Sequence, residues 1–368
     1  MRKRRKKMIR IRQGKVIEIT GNYPGITKIL VDVEGIREKA VNLDDLTGPV
    51  RTGDVVVLNT TAVYKGLGTG GNHFVMANLA NKKTDPPEAG HIMKMRYAPH
   101  QVKCLSVDEP DSPYANAIAN FSSLKKTPVV VGTLHSQLPL AAAGVKKASQ
   151  DKLRVVYIMT DGAALPMAFS NLVRELKAKG LLDATITVGH AFGGDYEAVN
   201  IYTGLIAAKE VARADVIIVA MGPGIVGTGT RYGFSGIEQG EVINAVNILG
   251  GKPIAIPRIS FADPRERHQG VSHHTLTVLD KIALTRCIVP LPRMDKVKAY
   301  HVHKQLFDLG LTTKHQVMEG VDAWPAVQAV KDEYQVKVTT MGRRIEEDQE
   351  FFLAAGAAGL VAAKMVVY

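Results

Sequence analysis

From Val129 onward the chain repeats one pattern, a short apolar run followed by a stretch long enough for a helix. The runs are Val129–Gly132, Leu153–Met159, Ala184–Val188, Val216–Ala220, Pro253–Ile256, Cys287–Val289 and Gln335–Val338. A strand that is apolar on both faces must be covered on both faces, which helices achieve only around a parallel sheet. Between the runs, Ala168–Lys179 has a period near 3.6, and Tyr196–Arg213 reads as a second amphipathic helical segment.

The first hundred residues read differently. Ile9–Arg12, Lys15–Ile19 and Thr27–Val33 alternate or are rich in branched residues, and Gly14, Gly21–Gly25 and Gly35 separate them. Val55–Leu58, His73–Met76 and a hairpin from His91–Tyr97 and Val102–Val107 continue the series. Asp108–Pro113 marks the change of pattern. The expected fold class is α/β: an N-terminal β-rich, barrel- or sandwich-like domain over residues 1–108, then a Rossmann-like doubly wound parallel sheet over 109–368.

The net charge of +12 is misleading, because residues 2–7 are all Lys or Arg and supply half of it. Residues 1–8 read as a basic disordered arm, or as an extension ahead of a start at Met8. The rest carries an ordinary surplus rather than a nucleic-acid footprint. Cys104 and Cys287 match no zinc or disulfide framework and suit a reducing cytoplasm. No run reaches the length of a membrane span; Phe351–Ala363 comes nearest, and its Ala and Gly content reads as a close-packed buried helix.

Ligands of open parallel sheets bind where the strands end, and the unusual residues follow the strands. The exits carry Thr133–Ser136 with His135, then Thr160–Gly162 with Asp161, and Gly189–Asp195 with His190. The glycine loop Met221–Thr230 and the segment Arg258–His274 follow. Gly222, Gly224 and Gly227 satisfy the dinucleotide pattern, but no helix opens at the third glycine and no acidic residue follows at a strand end to take a ribose. What survives is a loop whose backbone N–H groups hold an anion, through Gly222, Gly224, Gly227, Thr228, Gly229 and Thr230, with Arg258, Arg265 and Arg267 as clamps and His135 and Ser136 alongside. Ser136 also reads as a helix N-cap.

Asp263, His268, His273 and His274 have the ligand chemistry of a divalent transition-metal site, although adjacent histidines are expected to point apart. His268 with Asp161 or Asp195, and His190 nearby, form the acid–base candidate set, since imidazole titrates near neutral pH. Thr340–Arg343 offers one more anion-binding arginine.

Leu58–Ala62 with Gly66–Val75, Gly90–Lys94, Thr160–Pro166, Gly189–Asn200, Met221–Glu238, Arg258–His274 and Thr340–Arg343 together resemble the bacterial family Domain of Unknown Function 3866. That resemblance implies neither an activity nor a role for any position. The expected function is binding, and, if chemistry occurs, hydrolysis or group transfer, of a small anionic, nucleotide-like or phosphorylated ligand at the carboxyl edge. A non-catalytic sensor or assembly module regulating a partner protein is the alternative. No membrane or nucleic-acid partner is expected, and a homo-oligomer stays open.

Overall fold

The computed structural model describes residues 8–68, 70–163 and 165–367, so the basic arm lies outside the described residues except for the exposed Met8. The chain divides into two units, residues 1–104 and 105–368.

The first unit is a closed barrel because its first strand is used twice. The strands are β1 (Ile11–Tyr23), β2 (Ile26–Val33), β3 (Ile36–Leu43), β4 (Val55–Asn59) and β5 (His73–Asn78). The end of β1 pairs with β2, while Ile11–Lys15 pairs with β4, and register shifts between Val16 and Gly21 bend the strand between these tasks. The order β1-β2-β3-β5-β4 closes on itself, with β3 and β5 parallel. This is the Greek-key strand order of OB-type barrels, a likeness of fold only. Val16, Ile29, Val31, Val56, Leu58 and Val75 fill the interior. A small antiparallel hairpin, β6 (Ile92–Lys94) with β7 (Val102–Cys104), completes the unit.

The second unit is a Rossmann-like α/β fold. Its sheet has eight parallel strands: β8 (Pro128–Val131), β9 (Val155–Thr160), β10 (Ala184–Val188), β11 (Tyr196–Ala198), β12 (Val216–Met221), β13 (Lys252–Ala255), β16 (Ile288–Pro292) and β17 (Gln316–Val321). A two-stranded ribbon, β14 (Ile259–Ser260) with β15 (Gly270–Val271), stands outside it. The sheet order is β11-β10-β9-β12-β8-β13-β16-β17.

Alternate residues of the central strands feed two separate cores. Val130, Tyr157, Met159 and Ile218 pack with helices Leu138–Ser149, Asn171–Ala178 and Gln349–Val367. Val129, Val131, Ile158 and Ile217 pack with Ile201–Glu210, Glu238–Ile248 and Lys296–Asp308. The helices that follow β8 and β9 therefore lie on one face. The helix that follows β12, the strand between them, lies on the other. Adjacent strands whose chains leave in opposite directions open a crevice at their carboxyl ends.

Two strand expectations need correction. Gln335–Val338 is not a strand of the sheet; it starts from Gln335 at φ +50° and buries Val336 and Val338 against the first core. The eighth strand is β17, an edge strand with no fully buried residue, which leaves no apolar run to read. Likewise Tyr196–Arg213 opens with the short edge strand β11 before its helix begins at Ile201.

Helix Gln349–Val367 is the one described helix long and apolar enough to cross a membrane, and 78% of that apolar window is buried inside the fold. It crosses helix Leu138–Ser149 at glycines. A Cβ on Gly359 would lie 2.0 Å from the Ala141 carbonyl oxygen, and one on Gly144 would lie 2.6 Å from the Gly356 carbonyl oxygen. Alanine at Gly359 gains up to about 1 kcal/mol in helix propensity. It also forces two backbones apart, and overpacking costs about 1–3 kcal/mol or more. With a 2.0 Å clash against backbone placing the cost at the upper end of that range, Gly359→Ala is expected to lower stability by about 2 kcal/mol in urea denaturation. Gly68→Ala, whose Cβ meets nothing within 4 Å among the described residues, is expected to be neutral.

Candidate functional site

The crevice forms around the exit of β12. The loop after this strand turns through Gly224, at φ +116°, and Gly229, at φ +86°, backbone angles that favour glycine. Its outer part is a small hairpin. Thr228 N–H donates to the Gly233 carbonyl at 2.7 Å, and Ser235 N–H donates to the Val226 carbonyl at 2.9 Å. A Cβ on Gly224 would meet Ala163 at 3.4 Å, and one on Gly229 would meet the Arg267 guanidinium at 3.6 Å. The loop thus arches from the exit of β9 to the segment following β13.

Two cavities lie under it and share Ile225 and Met341. One, about 250 Å³, is lined by His135, Ser136, Gly222, Gly224 and Thr340. The other, about 200 Å³, is lined by Gly227, Gly229, Arg258, Arg265, Arg267, His268 and His274. Most of the residues expected at the rim do meet there.

In the first cavity, His135 Nε2 lies 2.7 Å from Ser170 Oγ, and Tyr157 O–H donates to the Ala220 carbonyl at 3.0 Å. Burial pushes the His135 pKa down to about 4, against a backbone hydrogen bond to Met221. Ser136 is not an N-cap. It lies in a 3₁₀ turn, and its Oγ donates to Thr340 Oγ1 at 3.2 Å. The Gln137 side chain takes over the capping, accepting from Thr133 and Leu134 N–H.

The second cavity is organised by a carboxylate. The β14–β15 ribbon folds residues 261–269 back so that Ser272 N–H donates to the Arg258 carbonyl at 2.8 Å. Inside this fold the fully buried Asp263 accepts from Arg265 Nε at 2.9 Å and Nη2 at 2.7 Å, and from Arg258 Nη2 at 3.2 Å. Arg343 Nη2 stands 3.6 Å away, and its Nε donates to buried Asp348 at 2.9 Å. The Arg265 hydrogen bonds hold the Asp263 carboxyl well below its usual range, outweighing burial. Asp263 is therefore the counter-ion of arginines, and the histidine cluster whose ring nitrogens converge forms without it. Arg267 is exposed and has no ion pair among the described residues.

The histidines converge, contrary to the expectation that His273 and His274 diverge. Their ring centroids lie 4.2 Å apart, with His268 at 5.0 and 5.1 Å from them. Adjacent residues on a helix start differ in direction at Cβ, but ring torsions and the His274 stack on Phe234, at 3.9 Å, bring both rings inward. Burial, reinforced by neighbouring positive charge, lowers the pKa of His268 and of His274 to about 3. His268 is thus a neutral ring at pH 7, not one titrating there.

Its expected carboxylate partners lie elsewhere. Asp161, after β9, accepts from His190 N–H at 3.0 Å; β12 and β8 separate β9 from β13, the strand before His268. Asp195 lies at the amino end of β10, bound to Thr185 and Lys177. Burial pushes its carboxyl up, but those bonds pull it below the ordinary value. Thr228 and Thr230 bond to one another on the outer hairpin and line neither cavity. Cys287 is equally remote from chemistry, a buried thiol pushed up to about 12 by desolvation.

Glu238 was not among the residues expected at the site. It opens helix Glu238–Ile248 and accepts from Thr160 Oγ1 at 2.6 Å; burial pushes its pKa to about 7, opposed by that bond and aided by Asp161. Its neighbour Gln239 donates to the carbonyls of Val131 and Ile256, clamping the exits of β8 and β13.

Fold and crevice define a two-unit α/β protein, a β-barrel followed by a Rossmann-like unit with its cavities at the switch point of the sheet. The chain belongs to the family described as Protein of unknown function (DUF3866), whose model matches residues 39–359. No curated protein and no solved structure matches it significantly.

Glu238 gives a signed pH dependence. Its folded pKa lies above its unfolded one, so its contribution is complete below about pH 4.5 and is lost as pH rises towards 7. Glu238→Gln keeps the acceptor for Thr160 without the charge. It is expected to be more stable than wild type at pH 8 by about 2–3 kcal/mol, and by much less at pH 4.5, in urea denaturation at both pH values.

Proposed function

We propose that the second unit binds a small anionic ligand, nucleotide-like or phosphorylated, in the paired cavities beneath the glycine loop. The observation that carries this reading is Arg267, a guanidinium with no ion pair among the described residues, lying against Gly229 in a cavity that Arg258 and Arg265 also line. Guanidinium groups and loop N–H groups recognise phosphate and carboxylate oxygens by charge-assisted hydrogen bonds, and the place is where ligands of such sheets bind.

Binding without turnover is the form favoured here. Neither Asp161 nor Asp195 stands beside His268, whose neutral imidazole is hydrogen-bonded to Ser272 and has neither carboxylate for proton exchange. A ligand sensor therefore fits the site better than hydrolysis or group transfer through His268. Residence in a reducing cytoplasm belongs to the same proposal, on the ground of two free thiols, one in each unit.

A panel of inorganic phosphate, nucleotides and phosphorylated sugars, with and without divalent ions, tests the reading. At least one probe is expected to raise the melting temperature and to bind in calorimetry. Arg267→Ala is expected to weaken that binding by about 1.5–3 kcal/mol, roughly ten- to hundredfold, with stability unchanged. A panel in which nothing binds, or binding indifferent to Arg267, overturns the proposal; product formation would restore the enzyme reading.

A further inference from the structure

The three histidines do more than line a wall. His268, His273 and His274 each bring a ring nitrogen to within 4.8 Å of the other two. His268 Nδ1 lies 2.7 Å from Ser272 Oγ, which also accepts the His274 N–H. With Nδ1–H donating to Ser272, the His268 Nε2 lone pair is free, the arrangement in which an outer hydrogen bond orients a metal-binding ring. Among the described residues His273 Nε2 is a buried nitrogen without a hydrogen-bond partner, and a polar atom left in that state costs about 1–3 kcal/mol unless something binds it. Phe234 stacks on His274 and fixes its plane.

We infer that His268, His273 and His274 form a binding site for a divalent transition metal of the zinc class, with its remaining coordination position open to the adjoining cavity. Three imidazoles with an open position are an established pattern for such ions. Zn–N bonds of about 2.0–2.1 Å require the nitrogens to close in, which rotation of the partly exposed His273 ring allows.

The nearby arginines oppose a second cation. Asp263 and Asp348 offset part of their charge, but Arg267 remains unbalanced. An anion in the cavity would offset both the metal and the arginines, so metal and anion are expected to bind with positive, reciprocal coupling. This coupling rests on the proposed anion site; the metal site stands without it.

The test uses the full chain, stripped by chelator and returned to phosphate-free buffer. Titration with Co²⁺ is expected to give one equivalent of bound metal with the visible d–d bands of low-coordinate nitrogen ligation, displaced by Zn²⁺. His273→Ala/His274→Ala, checked for folding by circular dichroism, is expected to lose more than about 100-fold in affinity, beyond what loss of an outer partner causes. Wild-type protein that takes up no stoichiometric Co²⁺ overturns the site, whatever the variant does. Metal retained by a folded double variant overturns these ligands. Phosphate is expected to tighten Co²⁺ binding about tenfold; no tightening overturns the coupling alone. Phosphate binding measured separately in chelator decides the anion reading, so the two proposals fail distinguishably.

Discussion

Asp263 is a carboxylate with no exposure to water, and the crevice is arranged around it. An isolated buried charge would be prohibitive, so its burial requires the guanidinium groups of Arg258 and Arg265, with Arg343 close by. Each comes from a different piece of chain: the exit of β13, the loop within the ribbon, and the turn before the last helix. Removing one partner of such a pair typically costs about 3–5 kcal/mol, because the other charge is left unpaired. The arginine heads are therefore held in place before anything binds. A pre-ordered guanidinium loses less freedom on meeting an oxyanion than a mobile one.

The sheet order explains why these residues meet the glycine loop. β12 lies between β9 and β8, and its following helix packs on the face opposite to theirs. The chain leaving β12 must therefore cross the carboxyl edge, and Gly224 and Gly229 supply the backbone angles for the crossing. Gln239, one residue into the next helix, ties β8 to β13 beneath it. Backbone topology sets where the cavities open; the ion pairs around Asp263 set what lines them.

The central strands were legible in the sequence because they are apolar on both faces. β17 and β11 were not, since an edge strand buries only one side and carries no comparable signal. The rim was legible for His135, Ser136, the loop glycines, the arginines and the three histidines. Roles were harder than places. Sequence shows the carboxylate of Asp263 but not the arginines that pair with it. Asp195 follows a strand, yet the parallel register of β11 returns it to the amino end beside Thr185. Convergence of His273 and His274 depends on side-chain torsions and on Phe234, forty residues away in the chain, which no local spacing encodes.

Charge decides how the histidines and arginines coexist. A cationic imidazolium here would suffer both desolvation and repulsion from Arg258, Arg265 and Arg267, so the rings stay neutral and keep their lone pairs. The surplus that Asp263 and Asp348 leave unbalanced then resides on guanidinium groups, which do not lose their protons in proteins. A wall of permanent positive charge beside neutral nitrogen donors has two complementary needs: an anion for the first and an electrophile for the second. On the two proposals above, an anion would answer the first and a metal ion the second, side by side along a cavity of about 200 Å³.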